Sequence, residues 1–284
     1  MVTKEIIELL KKSLKEDLNQ SGDITSKAIF NKKSKAHAII KSKTNGILSG
    51  IKLIKPLYNL IDPSLSIKII KSDGDILLPQ TIICELFGSI RSIFAGERIA
   101  LNFLGHLSGI ATQTNRLVYL ISHTKAKILD TRKTTPLLRM LEKQAVVHGG
   151  GFNHRYGLYD MILIKDTHIK AAGGIIPAYK KVIKYLKKIN KKIKIEIETQ
   201  DIKEFTEALS CKPHRIMLDN MSVYDMTFCV KEARKEKSYV ELEASGNVNE
   251  SNIVKIAETG VDFISVGSIT HSAKSLDIHL KIVD

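Results

Sequence analysis

Six short apolar runs in the second half of the chain, each closed by polar residues, constrain the fold more than any other feature. They are Lys127-Ile128-Leu129, Met161-Ile162-Leu163-Ile164, Ile193 to Ile197, Arg215-Ile216-Met217-Leu218, Tyr239 to Leu242 and Phe263 to Val266. Helical patterns separate them, and most starts lie roughly 20 to 35 residues apart. Strands alternating with helices form βα units and a parallel sheet. Six in succession predict an α/β barrel, complete or incomplete, rather than an open sheet.

The first third reads as mixed α and β. Ile6, Ile7, Leu10, Leu14 and Leu18 stand at helical spacing, which predicts a helix from Thr3 to Asp17. Strand-like runs follow at Ala36 to Lys41, Leu65 to Ile70 and Thr81 to Ile90, with a helical stretch at Ile51 to Leu60. A long helical region is expected from Phe94 to Ser122, with Gly105 and Gly109 marking a break or a close packing contact.

Composition narrows the classes. With 284 residues, 43% of them hydrophobic, the chain can bury a large core. No window reaches the roughly 18 consecutive apolar residues of a membrane helix. The start of the chain lacks a secretory apolar core, so a cytoplasmic protein is expected. Cys84, Cys211 and Cys229 are scattered, which argues against a zinc site or a disulfide framework. The net charge of +14 favours an anionic partner. Much of the excess is lysine at 180, 181, 184, 187, 188, 191 and 192, interleaved with Val182, Ile183, Leu186 and Ile189 as on a solvated helix face. Tryptophan is absent and only Tyr185 falls within this lysine run, so neither a nucleic acid nor a membrane is the expected partner.

The residues that close the runs carry the chemistry. They are Asp130-Thr131-Arg132-Lys133, Lys165-Asp166, Glu196 with Glu198, Asp219-Asn220, Glu243 with Ser245-Gly246, and Gly267-Ser268. In a βα barrel the C-terminal strand ends converge on the active site. Arg132, Lys133, Arg155 and Lys165, with His154, form a cationic group suited to carboxylate or phosphate oxygens. Glu196 and Asp219 offer hard oxygen donors for Mg²⁺, or equally for ribose hydroxyls. The turns at Ser245-Gly246 and Val266-Gly267-Ser268 each lead into a helix, the usual place for a phosphate in such barrels. The substrate expected from residue types alone is an anion bearing phosphate and carboxylate, with a divalent metal.

Gly149-Gly150-Gly151-Phe152-Asn153-His154-Arg155 is neither a Walker loop nor a Rossmann turn. It reads as a plain connecting loop or as a glycine-hinged loop presenting His154 and Arg155. His106, His123, His168 and His271 lack metal-ligand spacing and read as structural or supporting groups, and Cys84 reads as core.

In their order these segments resemble the quinolinate phosphoribosyltransferase family nearly end to end. The similarity is carried by Glu16-Asp17-Leu18, Gly22-Asp23-Ile24-Thr25-Ser26, Glu97 to Leu104, Ser108 to Thr112 and Asp130 to Pro136. It continues through Glu142-Lys143, Gly149-Gly150-Gly151, Asn153-His154-Arg155, Leu163 to Asp166, Asp219-Asn220-Met221, Glu243 to Gly246 and Ser265-Val266-Gly267. The resemblance implies an N-terminal α/β sandwich domain over 1–106 and an incomplete α/β barrel over 107–274. The segment 275–284 would return to the first domain.

It also implies the reaction of quinolinate with phosphoribosyl pyrophosphate (PRPP) and Mg²⁺, giving nicotinate mononucleotide, pyrophosphate and CO₂. By the same resemblance Thr131 lies among the substrate-binding residues, and Arg132, His154, Arg155 and Lys165 bind quinolinate. Arg98 reaches quinolinate from a second subunit of a homodimer or larger homo-oligomer. Lys133, Glu196 and Asp219 handle PRPP and its metal, with Glu196 and Asp219 as ligands. Lys133, Lys165, Glu196 and Asp219 are then the catalytic group, and Ser245-Gly246-Asn247 and Val266-Gly267-Ser268 hold the 5′-phosphate. Asn247 stands where the family commonly has glycine, and Thr167 where it commonly has asparagine. A related pyrophosphorylase acting on another acceptor, such as the molybdenum-associated homologue, is the nearest alternative.

Overall fold

A computed structural model describes residues 3–235 and 240–283. The chain divides into two compact units, Met1–Gln113 with Met140–Gly149 and Ala273–Asp284, and Thr114–Arg139 with Gly150–Ser272. The sequence reading placed the division at 106/107. The structural division falls inside one uninterrupted helix, Ile90–Leu120, where no break in the pattern marks it.

In the first unit, Thr3 caps helix Lys4–Leu18, its hydroxyl accepting from the Ile6 amide, and the helix buries Ile6 and Leu10. Asp23 caps a second helix, Ile24–Ile29, by accepting from the Ser26 amide at 3.0 Å. Five strands follow: β1 (Lys35–Ser42), β2 (Gly46–Ile47), β3 (Ser66–Ile69), β4 (Ile76–Leu77) and β5 (Ile82–Ser89). β5 pairs antiparallel with β1 and β3, and the last strand, Ile278–Val283, pairs with the free edge of β1 in the register Ile40↔Leu280. Alternation along β1 buries Ala38, Ile40 and Ser42. β2 and β4 form a separate pair.

Gly105 and Gly109 do not break the long helix. A β-carbon at Gly109 would lie 2.1 Å from the Lys274 carbonyl oxygen, and one at Gly105 3.1 Å from that of Leu276. Both glycines admit the returning chain, which passes against the helix backbone.

The second unit is a six-stranded parallel sheet: β6 (Lys127–Leu129), β7 (Ile162–Ile164), β8 (Ile195–Thr199), β9 (Arg215–Asp219), β10 (Glu241–Ser245) and β11 (Phe263–Ser265). Tyr239, the expected start of the fifth run, lies outside the described residues. The order is β6-β11-β10-β9-β8-β7, with every neighbouring pair parallel and no ladder between β6 and β7. Strand alternation separates two faces. Ile197, Ile216, Leu218, Leu242, Ala244 and Ile264, all fully buried, share the face covered by helices such as Ile202–Ser210. Residues of opposite parity, among them Leu163, Glu198, Met217, Asp219, Glu243, Ser245 and Ser265, line a cavity.

β8 runs two residues beyond the sequence expectation. Its apolar residues, Ile195 and Ile197, face the helices, so Glu196 and Glu198 point inward at successive levels. At about 3.3 Å per residue, Glu196 sits roughly 7 Å deeper than Glu198. No helix among the described residues is long and apolar enough to cross a membrane.

Candidate active site

The strand ends of the second unit surround one cavity of about 860 Å³. Thr131, Arg132, Lys133, His154, Arg155, Lys165, Asp219, Ser245, Gly246, Asn247, Val266, Gly267 and Ser268 all line it, as the sequence anticipated. Glu196 does not. It is completely buried, with Oε2 at 3.0 Å from His154 Nε2. Glu198 lines the cavity in its place, because the strand continues past Glu196 to Thr199. Arg98 belongs to the first unit, is exposed on helix Ile90–Leu120, and is not among the lining residues.

The cationic wall is built from three loops. After β6, the Thr131 hydroxyl accepts from the Lys133 amide at 3.0 Å, and the Thr270 hydroxyl donates to the Lys133 carbonyl at 2.7 Å. The glycine-rich loop is pinned rather than loose. The Phe152 amide donates to the Ile128 carbonyl, and the buried Asp130 carboxylate accepts from the His154 amide at 2.9 Å. This pins the loop presenting His154 and Arg155 to the end of β6. Arg155 Nη1 donates to the Met161 carbonyl at 3.2 Å. Desolvation, followed by the charge of Arg132, holds the Arg155 guanidinium below its usual pKa, against the opposing charges of Glu196, Asp160 and Glu198. Lys165 ends β7, its amide donating to His168 Nδ1 at 3.0 Å, while its ammonium lies 3.5 Å from Glu198.

The opposite wall carries oxygen. Glu198 is only 8% exposed. Desolvation raises its pKa; Lys165 opposes the rise, and the charges of Asp219 and Asp166 add to it. Asn220 Nδ2 donates to Asp219 Oδ2 at 2.8 Å and so orients that carboxylate. A wall that sets the Glu198 and Asp219 carboxylates side by side offers the hard oxygens that suit a divalent cation.

The two turns explain one family departure. Gly246 has φ +94°, and a β-carbon there would lie 2.2 Å from Asn220 Oδ1, so glycine is required. Asn247 follows at φ +50°, a conformation that asparagine tolerates better than most residues. Its Nδ2 donates to Asn220 Oδ1 at 3.0 Å, tying the β9 and β10 ends together. Gly246→Ala is expected to lose roughly 1–3 kcal/mol of stability through backbone strain, read by chemical denaturation. Thr167, the other departure, is exposed on helix Asp166–Ala172.

His271 is a residue that sequence reasoning undervalued. It lines the cavity, its Nδ1 lies 2.6 Å from the Ser272 hydroxyl, and its Nε2 is 3.3 Å from where a Gly267 β-carbon would stand. Lys133 Cδ would be 3.0 Å from that same position, so Gly267 keeps a gap between the two side chains. Its place three residues beyond the Gly267-Ser268 turn was the available signal.

The comparisons with known proteins agree with this geometry. Residues 23–108 match the family described as quinolinate phosphoribosyl transferase, N-terminal domain, and residues 110–281 match its C-terminal domain. A chloroplastic nicotinate-nucleotide pyrophosphorylase [carboxylating] of Arabidopsis thaliana is 40% identical over 292 residues, covering 99% of this chain and 83% of the plant protein. A probable nicotinate-nucleotide pyrophosphorylase [carboxylating] of Bacillus subtilis is 40% identical over 278 residues, covering 98% and 93%. The solved nicotinate-nucleotide pyrophosphorylase of Francisella tularensis superposes with a TM-score of 0.92 at 41% identity, covering 99% and 98%. With both domains matched and the similarity running through the cavity motifs, the chain belongs to the quinolinate phosphoribosyltransferase family.

Proposed function

We propose that this protein transfers the phosphoribosyl group of PRPP to quinolinate with loss of CO₂, a step that makes nicotinate mononucleotide for NAD synthesis. The observation that carries this reading is the division of one cavity into a wall of Arg132, Arg155, Lys165 and His154 and a wall of carboxylates and glycine turns. A pyridine dicarboxylate needs the first wall. A phosphorylated sugar pyrophosphate with its metal needs the second.

In the reaction, the pyridine nitrogen bonds to ribose C1 as the bond from C1 to pyrophosphate breaks. The bond from the ring to the 2-carboxylate then breaks or breaks alongside, CO₂ leaves, and a proton replaces it on the ring carbon. Arg132 and Arg155 clamp the carboxylates, and the fixed geometry brings the nitrogen to C1. Lys133 and Lys165 stabilise the departing pyrophosphate and the electron density left on the ring. Ser245 to Asn247 and Val266 to Ser268 hold the 5′-phosphate through backbone amides. Asp219 and Glu198 would hold Mg²⁺, which would supply charge neutralisation to the pyrophosphate. Removing even an outer partner of a bound metal typically costs 10–100-fold, so removing a direct ligand should cost at least that. Asp219→Ala is therefore expected to raise the half-saturating Mg²⁺ concentration by about tenfold or more, with quinolinate binding unchanged in calorimetry.

We assign Arg98 to the pocket of a second copy of the chain. Arg98→Ala and Lys133→Ala would each be nearly inactive, yet in a mixed dimer one pocket carries both lesions and the other neither. Reassociating equal amounts should restore up to about a quarter of all pockets, given two-fold symmetry. No recovery despite exchange, verified by mass spectrometry of tagged chains, would refute the shared site.

The acceptor is tested by assaying quinolinate, nicotinate and other pyridine acids side by side with PRPP and Mg²⁺. Turnover of quinolinate with weak turnover of nicotinate is expected. Equal turnover of both would overturn the dicarboxylate reading.

A further inference from the structure

At the base of the cavity, whose lining includes His154 and Glu243, lies an ionic cluster in which Glu196, Glu243 and Arg215 have no part in the reaction above. His154 Nε2 is 3.0 Å from Glu196 Oε2 and 3.4 Å from Glu243 Oε2. Arg215 Nη1 is 2.8 Å from Glu243 Oε2, its Nη2 reaches Glu241 at 3.1 Å, and its guanidinium carbon stands 4.0 Å over the Phe263 ring. Glu196 and Glu243 are both completely buried, and the His154 side chain is only 6% exposed. His154 is the one cation within ion-pair reach of Glu196 among the described residues. On its other edge the imidazole accepts the Arg155 amide at Nδ1, at 2.7 Å. The ring is therefore gripped between the barrel interior and the main chain of the carboxylate-binding arginine.

The donor atoms of His154, Glu196 and Glu243 lie within 4.8 Å of one another, a spacing that could also hold a metal. The chemistry argues otherwise. The Arg215 guanidinium already supplies positive charge to Glu243, and a protonated His154 imidazole, 3.0 Å away at Nε2, supplies it to Glu196.

We propose that Glu196 is a positioning residue for the quinolinate half of the site: it anchors His154 through Nε2–H, which sets the Arg155 main chain and its clamp, and it does not hold the metal. This rests on the quinolinate reading above and deepens it by separating two glutamates of one strand. Glu198 faces the cavity and the PRPP metal; Glu196, one level deeper, serves the acceptor through His154.

Two variants test this. Glu196→Met keeps volume and removes the acceptor, a type of replacement that buried ionic groups often tolerate. Glu196→Gln keeps an acceptor oxygen without the charge. A donor left unsatisfied by the loss of its partner typically costs 1–3 kcal/mol, so Glu196→Met should weaken quinolinate binding by about tenfold. PRPP KM and half-saturating Mg²⁺ should stay within about twofold, the scatter expected for a residue outside the cavity. Glu196→Gln should restore quinolinate binding to near the parent value. A downfield Nε2–H resonance of His154 in ¹⁵N-histidine-labelled protein should be present in the parent and in Glu196→Gln, and lost in Glu196→Met. Unchanged quinolinate affinity in Glu196→Met, or a tenfold rise in half-saturating Mg²⁺ in either variant, would overturn the proposal. If Glu196→Met does not fold, Glu196→Gln decides alone. A downfield His154 Nε2–H resonance present in both the parent and Glu196→Gln, with unchanged Mg²⁺ dependence and quinolinate affinity, supports the positioning role, and absence of the resonance or loss of either affinity refutes it. The histidine resonance needs no substrate. A parent protein that ignores quinolinate would thus sink the functional reading, while the Glu196–His154 link would still be decided.

Discussion

Arg155→Ala should lower kcat/KM for quinolinate by about 30-fold or more, with little change in PRPP KM. Losing one member of a desolvated, charge-assisted pair costs on the order of 2–5 kcal/mol, and the lower bound corresponds to that factor. Arg155 meets the conditions for a large effect. It is half-buried beside Arg132, and among the described residues its only side-chain hydrogen bond runs from Nη1 to the Met161 carbonyl, so the rest of the fork is available to a carboxylate. Arg155→Lys should recover only part of the loss, since an ammonium cannot reproduce a bidentate fork. Steady-state kinetics with each substrate varied in turn checks both statements. A loss that fell equally on PRPP would mean that the substitution disturbs the whole loop.

Arg215→Ala should cost about 3–5 kcal/mol of stability, the usual result of stranding one charge of a buried pair. At roughly 2–4 °C per kcal/mol for units of this size, Tm should fall by roughly 6–20 °C. Glu243 would be left in the barrel with its carboxylate unpaired by any guanidinium. Burial already raises its pKa, the charge of Glu196 adds to that, and His154 and Arg215 counter it. The folded state therefore holds the Glu243 proton more tightly than the unfolded chain does. Stability falls as pH rises through that window and recovers as pH is lowered toward the ordinary carboxylate range. The variant's deficit should accordingly shrink in mildly acidic buffer. Thermal unfolding at neutral and mildly acidic pH measures it, and a pH-independent deficit would point to lost packing on Phe263 instead.

The barrel was legible because its strands are short apolar runs with polar ends, and β6 falls where the pattern placed it. The cationic residues were legible for the same reason, since Arg132, Lys133 and Lys165 stand just beyond a run. The glutamates of β8 were not. In Ile195-Glu196-Ile197-Glu198-Thr199 the alternation shows that both glutamates face one side, but the sequence leaves the end of the strand open by one level. That single level decides between a cavity wall and a buried ion pair. Helix Ile24–Ile29 and the β2–β4 pair escaped because they are too short for periodicity to register. The long helix was placed four residues late at its start, since Ser89-Ile90-Arg91-Ser92 continues a strand pattern as readily as it opens a helix. Asn247 stands where the resembled family commonly has glycine. Its positive φ and its bond to Asn220 show a second solution to the same backbone requirement.

The central claim is that one cavity couples ribosyl transfer to decarboxylation of a pyridine dicarboxylate. Quinolinate labelled with ¹³C in the 2-carboxylate, incubated with PRPP, Mg²⁺ and the protein, tests it most directly. Labelled CO₂, unlabelled nicotinate mononucleotide and pyrophosphate should appear in equal amounts, and CO₂ should not form without PRPP. A mononucleotide that keeps the label, or CO₂ released without PRPP, would contradict the account.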